Sequence, residues 1–238
     1  MNDPFTKSQR RAGLQRFAIA LALVGASLLG VQAHASPGPQ PDDIHANVPA
    51  APHANFAGET VSSDAREIVE WVIRTRNNQG LPFVIVDKKS TKVFMFDGHA
   101  NLVGATPALL GLARGDVSAP GVGDKRLADI APSDRITQAG RFVASLGVNL
   151  ANQDILWVDY QTALALHRVL SANSNEHRLE RLGTNSSLDR RITFGCINVP
   201  TKFYTDVVRP QFVGTTGIVY ILPETKSLAE VFFQQTNG

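Results

Sequence analysis

The chain of 238 residues contains a single cysteine, Cys196, and only two tryptophans and two methionines. One thiol cannot close an internal disulfide, and it excludes the multi-cysteine sites that hold structural zinc. The histidines do not supply a metal site either: His45 and His53 lack partners at ligand spacing, and His99, His167 and His177 are scattered. No metal is expected. An excess of one charge is also missing. The 23 basic and 21 acidic residues nearly balance. Setting aside the first 35 residues removes four basic residues and one acidic, leaving 19 against 20. That balance gives no electrostatic grip on nucleic acid. Beyond residue 31 there is no apolar run long enough to span a bilayer, which takes roughly 20 residues.

What is present divides the chain. Lys7, Arg10, Arg11 and Arg16 precede an apolar run from Phe17 to Val31, and Ala33-His34-Ala35 follows as a small-x-small site. This reads as a secretory signal over 1–35, with a retained membrane anchor as the other reading. Residues 36–60 carry Pro37, Pro39, Pro41, Pro49 and Pro52 with few large apolar side chains, the composition of a disordered linker. A helix over 61–80 is expected to pack on a domain over 81–223, followed by a short helix and tail over 224–238. Export would leave the protein in the periplasm or cell envelope, where an idle exposed thiol is disfavoured.

Within the domain, Asp64 with Glu67 three residues on looks like a capping box, and Ala65, Ile68, Val69 and Val72 fall on one helical face. Phe83–Val86, Lys92–Phe96 and Leu102–Ala105 read as strands of a meander. Glycines at 111, 115, 121 and 123 mark an irregular stretch leading to Gly140 and a strand over 142–145. Ile155–Val158 is another strand. Thr162–Leu170 has the spacing of a helix, with Ala163, Leu166, Val169 and Leu170 on one face. The polar segment 171–190 is expected to be a loop or lid with mostly solvated charges. Pro200–Val208 reads as a helix, Gly217–Leu222 as a closing strand and Leu228–Phe233 as a short helix. Many short strands and few helices give a mainly β fold with a single domain.

The chemistry concentrates at Arg191–Pro200, where the thiol follows Gly195 at a turn. Cys196 is either a nucleophile or a small buried core side chain. As a nucleophile it needs a base, because a free thiol is largely protonated at neutral pH. His167, 29 residues upstream (196 − 167), and His177, 19 residues upstream (196 − 177), are the available imidazoles. Gly195 lets the backbone approach a substrate carbonyl and aim N–H groups at an oxyanion. The positive end of the helix opening at Pro200 is expected to favour an anionic sulfur.

Thr193-Phe194-Gly195-Cys196-Ile197-Asn198-Val199 resembles the Ser/Thr-His-Gly-Cys motif of the L,D-transpeptidases, the YkuD-like catalytic domain, with Phe194 in place of the motif histidine. His167, in Leu164-Ala165-Leu166-His167-Arg168, matches the family's upstream histidine. Thr137-Gln138-Ala139-Gly140 is similar to its Thr-Pro-x-Gly turn, with Gln138 in place of proline. The resemblance spans roughly residues 81–223 and implies a YkuD-like β-sandwich. It implies that Cys196 forms a thioester with a peptidoglycan stem peptide and passes the acyl group to an amine, or to water as a carboxypeptidase, without a cofactor. It implies His167 as base, oriented by the Arg168 carbonyl, Gly195 and Cys196 N–H groups as oxyanion donors, and Thr193 and Asn198 ordering the loop or touching substrate. A catalytically degenerate peptidoglycan-binding or periplasmic interaction module is the alternative, since a phenyl ring at 194 makes no hydrogen bond.

Overall fold

The computed structural model describes residues 54–170 and 173–233. The expected signal and most of the linker therefore lie outside the described residues. Ten strands organise the rest: β1 (Phe83–Asp87), β2 (Lys92–Phe96), β3 (Leu102–Pro107), β4 (Leu110–Gly111), β5 (Gly140–Val148), β6 (Asp154–Asp159), β7 (Leu164–Arg168), β8 (Arg191–Thr193), β9 (Ile197–Val199) and β10 (Gly217–Ile221). Eight of them form one sheet in the order β3-β2-β1-β10-β5-β6-β7-β9, and β4 pairs with β8 beside it. The β1–β10 and β7–β9 pairs are parallel. The protein is mainly β, as its composition and patterning predict.

The two faces of the sheet have different covers. One face packs Val84, Val86, Val93, Met95, Val219 and Ile221 together with Leu156, Val158, Leu166, Ile197 and Val199. It is closed by Tyr204, Val208 and Phe212. These come from a helical run made of Thr201–Phe203, a wider π turn over Tyr204–Val208, and Arg209–Phe212. The other face of β1, β2 and β10 carries Phe83, Ile85, Phe94, Phe96, Ile218 and Tyr220. Helix α1 (Ser63–Thr75) covers it with Ala65, Ile68, Val69 and Val72, the four residues its 3.6-residue period selects. Ala54 and Phe56 join this layer, and Phe56 packs edge-on against Phe94 and Phe96. Order thus begins before residue 61.

Several expectations are corrected. Helix α1 is capped by Ser62, whose Oγ accepts the Ala65 N–H at 3.1 Å, rather than by Asp64. The expected helix over 162–170 is strand β7. Leu164, Ala165 and Leu166 are all buried, so two covered faces erase the alternation that marks a strand. The helix after Pro200 runs on to Phe212, with Pro200 as its cap residue rather than its first turn. The segment 173–190 contains a short helix, α2 (Arg178–Gly183). Glu224, assigned to the tail, is buried in an ion network described below. Among the described residues no helix is long and apolar enough to cross a membrane.

Candidate functional site

The free thiol of Cys196 lies between β8 and β9, at a strand-to-strand turn and not at a strand-to-helix turn. Strand β9 and Pro200 separate it from the helix at Thr201 by four residues, about 13 Å of extended chain. A helix dipole acts within its first turn, so it gives this sulfur little help. Gly195 holds the turn open at φ +134°, and a Cβ there would meet the Ile136 carbonyl oxygen at 2.9 Å. Both the dihedral and the close approach require glycine.

Two buried threonines shape this turn. Thr137 Oγ1 donates to the Gly195 carbonyl at 2.7 Å and accepts the Gly111 N–H at 2.9 Å. Thr193 Oγ1 donates to the Cys196 carbonyl at 2.7 Å and accepts the Gly195 N–H at 3.2 Å. The Gly195 N–H is thereby engaged inside the turn. The Thr193 hydroxyl is thus engaged with the turn's own backbone on both sides.

Cys196 Sγ donates to the Ala163 carbonyl at 3.5 Å. Burial pushes its pKa up, partly offset by the Ala165 N–H. A small cavity of about 70 Å³ opens beside it, walled by Phe194, Ile136, Thr162 and the turns over Val122–Asp124 and Leu127–Asp129. Its two charged lining residues, Lys125 and Asp134, pair at 3.4 Å. Phe194 lies under the Arg135 guanidinium, 4.1 Å from the ring centroid. The residue in the motif-histidine position thus anchors the neighbouring loop by a cation–π contact.

His167 sits on β7 directly across from Asn198 on β9. Its Nδ1 bonds the Arg168 carbonyl at 2.7 Å, and its Nε2 faces Asn198 Nδ2 at 3.1 Å. The carbonyl can only accept, so Nδ1 carries the proton and Nε2 offers the lone pair. Burial lowers the imidazole pKa; the bond to Arg168 raises it, and the nearby Arg178 charge lowers it further. Cys196 precedes β9 and lines the small cavity with Phe194, whereas His167 lines a separate one with Asp154 and Arg168. The two side chains have separate hydrogen-bond partners here: the thiol bonds Ala163 and the imidazole bonds Asn198.

The other sequence-selected residues fall outside this cluster. The Arg168 side chain points away, paired to Asp154 at 2.9 Å and lying over the Tyr204 ring, so only its carbonyl serves the imidazole. His177 is exposed and pairs with Glu180 at 2.9 Å. His99 is exposed in the β2–β3 turn.

Three features were not foreseen. Arg178, expected on a solvated face, is 12% exposed and donates to Asn198 Oδ1 at 2.7 Å. Lys88, just after β1, is fully buried on Asp116 at 2.7 Å and on the carbonyls of Gly115 and Thr137. Arg191, at the start of β8, bonds the Lys88 carbonyl and the Glu224 carboxylate. No signal in the sequence marks these positions, because each depends on a partner at least 20 residues away.

Fold and site together define a mainly β domain with a free thiol at the start of β9 and an imidazole on the neighbouring β7. No family model matches the sequence, and comparison with curated protein sequences gives no match. Among solved structures, the helical cell shape determining protein Pgp2 from Campylobacter jejuni is similar at 14% identity and a TM-score of 0.41. That match covers 62% of this chain and 49% of Pgp2, so the chain spans about half the length of that protein. LD transpeptidase LdtMt1 in complex with imipenem is similar at 13% identity and a TM-score of 0.34, covering 59% of this chain and 58% of that one. The catalytic domain from E. faecium L,D-transpeptidase gives 14% identity and a TM-score of 0.31, covering 59% and 95%.

Proposed function

We propose that the protein is an exported cysteine acyltransferase of the L,D-transpeptidase kind, acting on peptidoglycan stem peptides in the periplasm or cell envelope. The observation that carries this reading is the Gly195–Cys196 turn, which sets a free thiol on the wall of a small cavity at the start of β9, the strand that pairs with the His167-bearing β7. In the reaction, Sγ attacks an amide carbonyl of the stem, and an S–C bond forms as its proton passes to His167 Nε2. Collapse of the tetrahedral intermediate breaks the C–N bond, and the proton leaves with the departing amine. A second amine then attacks the thioester and regenerates the thiol; water in its place gives carboxypeptidase activity. The Cys196 N–H serves the oxyanion, the Arg168 carbonyl aims the ring, and Asn198 releases the Nε2 lone pair when the thiol approaches.

Neutral thiol and neutral imidazole are the resting pair that the directions of their pKa shifts favour. The cavity of about 70 Å³ is small against the ≈ 300 Å³ or more of ordinary ligand pockets, so a peptide requires the Val122–Asp134 wall to open. Intact mass after exposure to a carbapenem-type β-lactam tests the reading. One adduct is expected on the wild type and none on Cys196→Ala. No adduct on the folded wild type across the pH range would sink it. The second reading, a peptidoglycan-binding module without catalysis, is favoured by the separate hydrogen bonding of Cys196 and His167. It predicts sacculus binding that Cys196→Ala leaves unchanged and no adduct.

A further inference from the structure

We infer that Arg178 is a positioning residue for His167, acting through the side-chain amide of Asn198. The role in catalysis rests on the acyltransferase reading; the coupling among the three side chains does not.

An asparagine amide has an accepting oxygen and a donating nitrogen, and which end faces a neighbour is decided by its partners. Arg178 can only donate, and its Nη1 meets Asn198 Oδ1 at 2.7 Å. The amide oxygen is held there, and Nδ2 must face His167, where it lies 3.1 Å from Nε2. Nε2 must then be the bare nitrogen, in agreement with the Nδ1 bond to Arg168 at 2.7 Å. Three successive bonds select one tautomer, the one whose lone pair points away from the chain's own carbonyl. Without Arg178 the amide is free to turn over and accept from a protonated Nε2, so that it competes with the Arg168 carbonyl over the tautomer instead of reinforcing it.

Arg178 is itself fixed. It opens α2, and its Nε is taken by the Glu176 carboxylate. Arg181 ties the same segment through the Glu176 and Asp189 carbonyls. The charged and titratable groups around the imidazole are few. Arg178 faces it from α2, with Glu176 behind, and Cys196 lies on the β9 side. Arg168, on its own strand, is directed at Asp154 of β6, which also meets Arg209 from the following helix. Arg178 is thus the cation nearest the imidazole's hydrogen-bond chain. After the thiol proton has reached Nε2, the Asn198 N–H opposes the new Nε2–H, and Arg178 prevents the amide from turning to accept it. The proton is driven on to the leaving amine.

The test compares the full chain with Arg178→Met and Arg178→Lys, using nitrogen-resolved NMR of the His167 ring alongside β-lactam adduct formation against pH. In the wild type the Nδ1–H tautomer is expected to dominate. Arg178→Met is expected to mix the tautomers, to raise the His167 titration midpoint, and to slow adduct formation about tenfold, part of the 10²–10⁴ that a general base supplies. Arg178→Lys keeps charge and a donor and recovers part of each change. An unchanged tautomer and midpoint in a folded Arg178→Met protein overturns the coupling. A shifted tautomer with an unchanged rate and pH profile overturns the positioning role. A wild type that forms no adduct defeats the acyltransferase reading alone, and the NMR comparison still decides the coupling. If Arg178→Met does not fold, Arg178→Lys decides: a wild-type ring spectrum combined with a slowed rate overturns the inference.

Discussion

Replacing Lys88 by methionine removes the centre of a buried ion network and should cost stability in a way its geometry lets one work out. Lys88 and Asp116 have side chains 0% and 1% exposed, and Glu224 lies 3.7 Å from the ammonium. Removing one partner of a buried pair typically costs about 3–5 kcal/mol, because a charge is left without compensation. Asp116 retains four donors, namely the Glu224, Thr225 and Lys226 N–H groups and the Thr225 hydroxyl. Glu224 retains Arg191 and the Gly115 N–H. These place the cost at the lower end, about 3 kcal/mol. At roughly 2–4 °C per kcal/mol for a chain of this size, the melting temperature falls by about 6–12 °C.

The same network has a pH signature. Burial raises the Asp116 pKa, but Lys88, Thr225 and the surrounding N–H groups outweigh it and hold the carboxyl well below the usual carboxylate range. A depressed carboxylate contributes stability above its unfolded value, near 3.9, and loses it as pH falls toward the folded value. Urea titrations of wild type, Lys88→Met and Asp116→Asn from neutral pH down to about pH 2 should therefore show a steep acid loss in the wild type that Asp116→Asn lacks. A Lys88→Met protein within about 1 kcal/mol of wild type would refute the account, since that is the range of an exposed pair.

The site supports further expectations beside those for Cys196 and Arg178. Gly195→Ala places a Cβ 2.9 Å from the Ile136 carbonyl at φ +134°, so adduct formation should be lost, with stability falling by about 1–3 kcal/mol for the strained backbone, read by urea titration. Alkylation of Cys196 by iodoacetamide should be slow at neutral pH and climb beyond the ordinary thiol pKa of about 8.5. The thiol pKa is raised and the imidazole pKa lowered, so the charged pair is not the resting state. A reactivity plateau reached already near pH 5–6 would contradict this, as a thiolate–imidazolium pair gives that profile.

Much of the fold is legible locally. Phe83–Asp87, Asp154–Asp159 and Gly217–Ile221 are short apolar runs bounded by turn residues, and α1 has its four buried residues at helical spacing. Strand β7 fails for a physical reason. Its covered faces leave no polar alternation, and Ala163, Leu166 and Val169 then satisfy the helical period by coincidence. At the site, Cys196 and Gly195 follow from a local pattern, and the Arg168 carbonyl is what the resemblance implies. Arg178 follows from neither, since a guanidinium 20 residues from its amide partner leaves no trace in spacing; Thr137 stands out only through the resemblance of its turn, and its bond to a carbonyl 58 residues away does not. Phe194 reads from sequence as a lost hydrogen bond, and the Arg135 guanidinium above it supplies the contact that replaces one.

The strand order has a consequence for how the molecule can form. β10, late in the chain, lies in the middle of the sheet, between β1 and β5. Phe83–Val86 are paired in parallel with Ile218–Ile221, some 135 residues later (218 − 83). Until residues 217–221 are present, the β1–β2–β3 meander and the β5–β6–β7 half that bears His167 have no common edge to share. Such distant pairing makes folding slow and leaves apolar strands exposed meanwhile. For a chain delivered N-terminus first, the meander and the β5–β6–β7–β9 half are joined along β10 only near the end of delivery, whereas β7 and β9 pair directly with each other and do not wait for that strand.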